Sequence, residues 1–98
     1  MAFMPKLDEA TLTRLETLSK LGDPPPWTAF VEGRDHDSGD SFIMAGAPDD
    51  RREDLYVSRD SGPATPADLD LIAAARTYLP LLVAEVRRLR GASSDGSS

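Results

Sequence analysis

The stretch "TPADLDLIAAARTYLPLLVAEVRRLRG", residues 65–91, predicts a long helix at the C-terminal end of the chain. Thr65 is placed to cap this helix, Pro66 takes its first position, and Asp68 stands three residues after the cap, where its carboxylate can reach back. Apolar residues then recur at spacings of three and four, the period of one helix face. This face consists of Leu69, Ile72, Ala73, Leu79, Leu82, Val83, Val86 and Leu89.

The same helix is predicted to end at Gly91, after a last turn rich in arginine that suits the negative end of the helix dipole. Pro80 lies inside the run and removes the hydrogen bond to the carbonyl oxygen of Arg76, so a kink or a brief break is predicted there. The remaining residues, "ASSDGSS" (92–98), are predicted to form a disordered tail.

A shorter helix is predicted upstream, in "LDEATLTRLETLSKLG", residues 7–22. Asp8 is its expected N-cap, because a carboxylate there accepts hydrogen bonds from the free amides of the first turn. Leucines continue an apolar stripe along it. Gly22 and the following prolines end it.

Three short strands are predicted between the helices, in "WTAFVEG" (27–33), "SFIM" (41–44) and "DLYVS" (54–58). Each alternates apolar residues between two faces. The predicted fold is therefore α+β: an N-terminal helix, a three-stranded antiparallel meander, and a long Pro-kinked helix packed on the sheet. A chain of 98 residues suits one small domain, which we predict over residues 1–91.

The composition narrows the classes of function. Seventeen acids against eleven bases give a net charge of −6, which argues against direct nucleic-acid binding and against an anionic membrane surface. The sequence has no cysteine, which excludes disulfides and thiolate metal sites. Its N-terminus lacks the apolar core of a signal peptide. We therefore expect a cytoplasmic protein without a bound cofactor.

The stretch "GRDHDSGDSF", residues 33–42, carries the only histidine and is predicted to be a turn. A calcium loop would need a glutamate at its twelfth position, where this sequence has Gly46. A zinc site would need further histidines or thiolates, so no metal is predicted. A triad of His36 with Ser38 or Ser41 and an aspartate would give a hydrolase, but neighbours on one turn hold a nucleophile poorly.

A second acidic group interrupts the strands. It consists of Asp49, Asp50, Glu53 and Asp54. One interpretation is a solvated loop. The alternative is a docking surface for a basic partner, or a weak mimic of nucleic acid.

Arg76 lies on the apolar face of the long helix, where a cation must be paired. One hypothesis is structural: a bridge to Asp68 or Glu32, or stacking on Trp27. The other is a binding floor for an anionic ligand such as a nucleotide, formed by Trp27, Arg76 and Tyr78.

The long helix also carries an approximate heptad seam. Its members are Leu79, Leu82, Val86 and Leu89. This seam either packs against the first helix or forms a homodimer.

Two stretches, "DPPPW" and "DLDLIAAARTYLPLLVAEVRRLR", resemble the Ead-like accessory proteins of phages and prophages. The family pattern has Pro-Gly-Pro-Trp after a leading helix, matched by Pro26 and Trp27, although Pro25 replaces the glycine. Residues 28–64 are not matched. The ending of the family pattern is matched by Asp68, Ile72, Ala73, Ala74, Ala75, Arg76, Pro80, Leu82, Glu85, Leu89 and Arg90.

The resemblance implies an origin in a phage or mobile element and implies no activity. Together with the composition, it leads us to expect a non-enzymatic accessory protein that binds a host macromolecule and does not bind nucleic acid directly. The alternative is a small protein that sequesters an anionic ligand near Trp27 and Arg76. A hydrolase with His36 as its base is the third hypothesis.

Overall fold

The computed structural model describes residues 7–37 and 39–97, with side chains described as far as Gly91. The predicted α+β fold is confirmed: a helix, a three-stranded antiparallel sheet and a long helix follow one another within these residues. The chain forms two compact units. The sheet unit is Asp23–Tyr78, and the helical unit combines Met1–Gly22 with Leu79–Ser98. The single domain over residues 1–91 stays a prediction.

Helix α1 spans Glu9–Leu21 and has the predicted ends. The Asp8 carboxylate accepts a hydrogen bond of 2.8 Å from the backbone amide of Thr11. At the other end, the amide of Gly22 donates to the carbonyl oxygen of Leu18. Both ends are set by local contacts: the Asp8 side chain satisfies an amide of the first turn, and the Gly22 amide satisfies a carbonyl oxygen of the last turn.

Within the described residues, five short strands follow α1. They are β1 Trp27–Phe30, β2 Phe42–Ala45, β3 Asp54–Leu55, β4 Ser58–Arg59 and β5 Gly62–Pro63. The first three form a sheet of order β1-β2-β3 that is antiparallel throughout, with Phe30 paired to Phe42 and Ile43 to Leu55. Strands β4 and β5 form a separate hairpin, so the third predicted strand is divided.

One face of this sheet carries the core of the sheet unit. Side chains alternate along a strand, so every second residue points to the same face. The long helix α2, Pro66–Ser97, packs on that face through Leu69 and Ala73, which cluster with Ile43 of the middle strand. The buried cluster is Val31, Ile43, Ala64, Leu69 and Ala73.

Helix α2 spans Pro66–Ser97 and begins as predicted. The hydroxyl of Thr65 accepts a hydrogen bond of 3.1 Å from the amide of Asp68. The helix continues through Pro80 without the brief break offered as an alternative to a kink.

The end predicted at Gly91 is wrong, since the helix runs on to Ser97. A glycine stops a helix by adopting a positive φ, and Gly91 does not adopt one. The side chains of residues 92–98 lie outside the described part of the chain, and their disorder stays a prediction.

An arginine connects the two helical segments of the helical unit. Arg87 donates through Nε to Glu16 at 2.7 Å and through Nη1 to Glu9 at 2.6 Å. Its Nη2 reaches the hydroxyl of Thr13 at 3.1 Å. We call this set the Arg87 fork. Because its partners lie on three successive turns of α1, one side chain holds a length of that helix.

Candidate functional site

The acidic group lies on the loop between β2 and β3, where Asp49 and Asp50 belong to a short 3₁₀ helix, Pro48–Asp50. Gly46 makes the sharp entry to this loop: its φ is +84°, and a Cβ there would lie 2.5 Å from the carbonyl oxygen of Asp50. The amide of Arg52 closes the loop by donating to the carbonyl oxygen of Ala45 at 2.9 Å. The loop therefore has a defined backbone conformation.

Arginines interleave with these acids. Arg51 donates to both carboxylate oxygens of Asp54 at 2.8 Å, and Arg52 pairs with Asp50 at 3.2 Å. Asp49 and Glu53 are exposed to solvent. In the predicted surface, Asp50 and Asp54 are thus paired with arginines, and Asp50 is exposed to solvent as Asp49 and Glu53 are.

The charge of the protein is concentrated in the sheet unit. Residues 23–78 contain twelve acids and five arginines, a net charge of −7, whereas the rest of the chain has a net charge of +1. A potential of one sign over a unit of this size steers oppositely charged partners toward it.

Trp27 and Arg76 are brought together, as one sequence hypothesis stated. The guanidinium carbon of Arg76 lies 5.8 Å from the centroid of the Trp27 ring, which is a cation–π distance. The carbonyl oxygen of Asp23 accepts hydrogen bonds from Arg76 at 2.8 and 3.1 Å, and from the Trp27 indole at 3.2 Å. The Thr77 hydroxyl holds the strand from the other side, accepting from the Trp27 amide at 3.0 Å.

Tyr78, the third residue of the predicted ligand floor, is exposed and follows Arg76 by two positions on α2. Residues two apart on a helix point to different sides of it. Asp23 and Thr77 were missed by the sequence analysis, because a backbone acceptor and a short hydroxyl give no pattern in a sequence.

Residues 33–35 of the predicted turn form a turn, and Phe42, at the end of that stretch, already belongs to β2. The Asp35 carboxylate accepts from the amide of Val31 at 2.8 Å, and the Ser41 hydroxyl accepts from the amide of Glu32 at 2.9 Å. Arg34 reaches α2, where it donates to both carboxylate oxygens of Asp70 at 2.8 and 2.9 Å. Hydrogen bonds from Arg34 lower the pKa of both Asp35 and Asp70 from the usual value.

His36 packs its ring against Phe42, with 5.5 Å between centroids. Its Nε2 atom is buried and has no hydrogen-bond partner among the described residues. Ser38 lies outside the described residues, and the Ser41 hydroxyl is engaged with the backbone. A general base must reach its substrate, and this nitrogen is shielded from solvent.

The sheet face opposite the core carries aromatic rings that the sequence analysis did not connect. Phe30 stacks on Phe42 with 5.3 Å between centroids and 15° between planes, and Tyr56 follows at 5.8 Å from Phe42. Beside Tyr56 lies an open cavity of about 370 Å³, which we call the Tyr56 pocket. It is lined by Asp40, Ser41, Tyr56, Val57, Ser58 and Pro63.

Two of the four residues of the heptad seam are exposed to solvent. Leu79 and Val86 are partly buried, whereas Leu82 is 61% exposed and Leu89 is 53% exposed. Other leucines of the helical unit are exposed as well. These are Leu7, Leu18, Leu21 and Leu81.

Comparisons with protein-family models, with curated proteins and with solved structures returned no match. Within residues 7–37 and 39–91, no group of three or more acidic or histidine side chains is arranged to hold a metal ion. None of the described helices is long and apolar enough to cross a membrane.

Proposed function

We propose that the protein is a non-enzymatic binding protein that docks a basic macromolecular partner through its sheet unit. The observation that supports this best is the net charge of −7 on residues 23–78. Asp49 and Glu53 expose their carboxylates on a loop that Gly46 and backbone hydrogen bonds hold in shape. A shaped loop presents charge without the entropic cost of ordering it on binding.

The non-enzymatic part of the proposal is supported by the place of His36. It is the only histidine in the sequence, and its Nε2 atom is buried beside Phe42. A binding function needs no such base.

The alternative, an anionic ligand held by Trp27 and Arg76, has less support. Arg76 already donates to the carbonyl oxygen of Asp23 and lies over the Trp27 ring. The negative charge of the same unit also repels an anion.

We further propose a cytoplasmic protein of phage or prophage origin, of the Ead-like kind. Its support is the pair of terminal motifs, "DPPPW" and "DLDLIAAARTYLPLLVAEVRRLR". Trp27 of the first motif and Arg76 of the second are in contact, so the matched residues include a structural pair.

The test is capture of partners from host cells by cross-linking and quantitative mass spectrometry. The double variant Asp49→Lys with Glu53→Lys should lose the captured partner, and raised salt before cross-linking should reduce its capture by the wild type. The matched control is Asp37→Lys with Asp60→Lys, which changes the net charge equally at two other exposed acids. Equal capture by wild type and both variants would contradict the proposal.

A further inference from the structure

The Tyr56 pocket combines three kinds of wall. Val57 and Pro63 are apolar, Ser41 and Ser58 supply hydroxyls, and Asp40 is the charged residue among the six that line it. A volume of about 370 Å³ lies at the lower end of the range of small-ligand sites and admits one long side chain. The pocket therefore suits a slender group with a polar end.

Tyr56 lines this pocket and is supported by other aromatic rings. The residue is 63% exposed, yet its ring lies 5.8 Å from that of Phe42, which is itself stacked on Phe30. Arg51 lies 5.9 Å from the centroid of Phe42 and is bound to Asp54. The exposed aromatic face is thus the end of a packed row.

An aromatic face beside a carboxylate selects a cation. The face of a tyrosine ring is electronegative and attracts a cation within about 6 Å of its centroid. A guanidinium group fits better than an ammonium group, because it is planar, stacks on the ring and still directs N–H donors to a carboxylate and hydroxyls in its plane. The apolar walls suit the methylene stem of an arginine.

We infer that the Tyr56 pocket binds an arginine side chain of the basic partner, stacked on Tyr56 and hydrogen-bonded to Asp40. This inference rests on the proposed function and specifies the chemistry of its partner. The pocket is then a second contact site beside the acidic loop. The loop attracts the partner by charge, whereas the pocket recognises one arginine of that partner.

The test uses a blocked short peptide with one arginine between glycine and serine residues, titrated into the full chain and followed by two-dimensional NMR of the backbone amides. The expected result is a set of shifts at Ser41, Tyr56 and Ser58. The matched probe carries citrulline, which has the same shape without the charge, and should leave these amides unchanged. Asp40→Asn and Tyr56→Leu should each weaken binding about tenfold, and Asp60→Asn should not.

Three results would overturn the inference: no shifts with the arginine peptide, equal binding of the citrulline peptide, or unchanged affinity in Asp40→Asn. Equal binding of a lysine peptide would overturn the preference for arginine. The spectra also show that each variant is folded. If Asp40→Asn keeps the captured partner while Asp49→Lys with Glu53→Lys loses it, the pocket fails and the proposed function stands.

Discussion

In the sheet unit, five buried residues from the middle strand, helix α2 and two connecting segments form one core, whereas in the helical unit the described buried side chains are Leu12 and Val83. The helical unit adds the Arg87 fork, which carries hydrogen bonds to three residues of α1. Apolar burial is non-directional, but a forked arginine fixes geometry. Among the described residues, the sheet unit therefore has a buried cluster, whereas the helical unit combines two buried side chains with a polar fork.

The surfaces of the two units differ in the same way. The sheet unit has a net charge of −7, and the remaining chain is nearly neutral at +1. The nearly neutral unit exposes six leucines, which include Leu18, Leu82 and Leu89. The chain thus offers two chemically distinct surfaces. A partner that is attracted to one of them is not expected to bind the other.

The largest expected effect is in the sheet core. Ile43 is fully buried, so Ile43→Ala should lower the free energy of unfolding by about 3 kcal/mol through lost burial and a cavity. Ile43→Val, the matched smaller deletion, should cost about 1 kcal/mol. Chemical denaturation followed by circular dichroism measures both. Equal, small losses in the two variants would contradict the conclusion that the buried core around Ile43 stabilises the sheet unit.

The second effect is at the Arg87 fork. Arg87→Met keeps most of the apolar stem and removes the hydrogen bonds, so it should destabilise the protein less than Ile43→Ala does. It should cost more than Arg88→Met, because the ion pair of Arg88 with Glu85 lies within one helix. Thermal midpoints give the order, and a larger loss for Arg88→Met would contradict the role of the fork.

The fork also predicts a dependence on pH. A hydrogen bond from Arg87 holds the pKa of Glu16 below its ordinary value of 4.5. A carboxyl whose pKa is lower in the folded than in the unfolded protein stabilises the fold at a pH above its unfolded-state pKa. This stabilisation is lost as the pH falls through the folded-state pKa. The Arg87 contribution should therefore begin to fall below about pH 4.5, and Arg87→Met should flatten the curve there. The carboxyls of Asp35 and Asp70 in the sheet unit have an ordinary pKa of 3.8, so the stability that their lowered pKa contributes is lost at a lower pH than that of Glu16.

The elements that the sequence predicted are those that local chemistry specifies. Asp8 and Thr65 cap their helices within one turn, so spacing alone locates them. The division of the third strand and the run of α2 through Gly91 are decided by backbone angles that a residue type only biases.

The candidate site shows the same limit. Contact between Trp27 and Arg76 was one of several open hypotheses. The sequence indicates that a cation on an apolar helix face needs a partner, but it does not identify which residue that partner is. The row from Phe30 through Phe42 to Tyr56 depends on strand register, which places residues from three segments side by side. Residues joined only by register leave no periodic signal.

The smallest effect on stability is expected at the exposed leucines. Leu82 is 61% exposed, so Leu82→Glu should change the free energy of unfolding by no more than about 0.5 kcal/mol. The homodimer predicted from the heptad seam gives the same variant a second readout. If two copies pair through Leu82 and Leu89, light scattering should show a dimer for the wild type and a monomer for Leu82→Glu, because a carboxylate buried in that interface is not paired. A wild type that stays monomeric at all concentrations would contradict the homodimer and leave these leucines as solvent-facing positions, which would sharpen the contrast with a sheet unit whose large apolar residues are mostly covered.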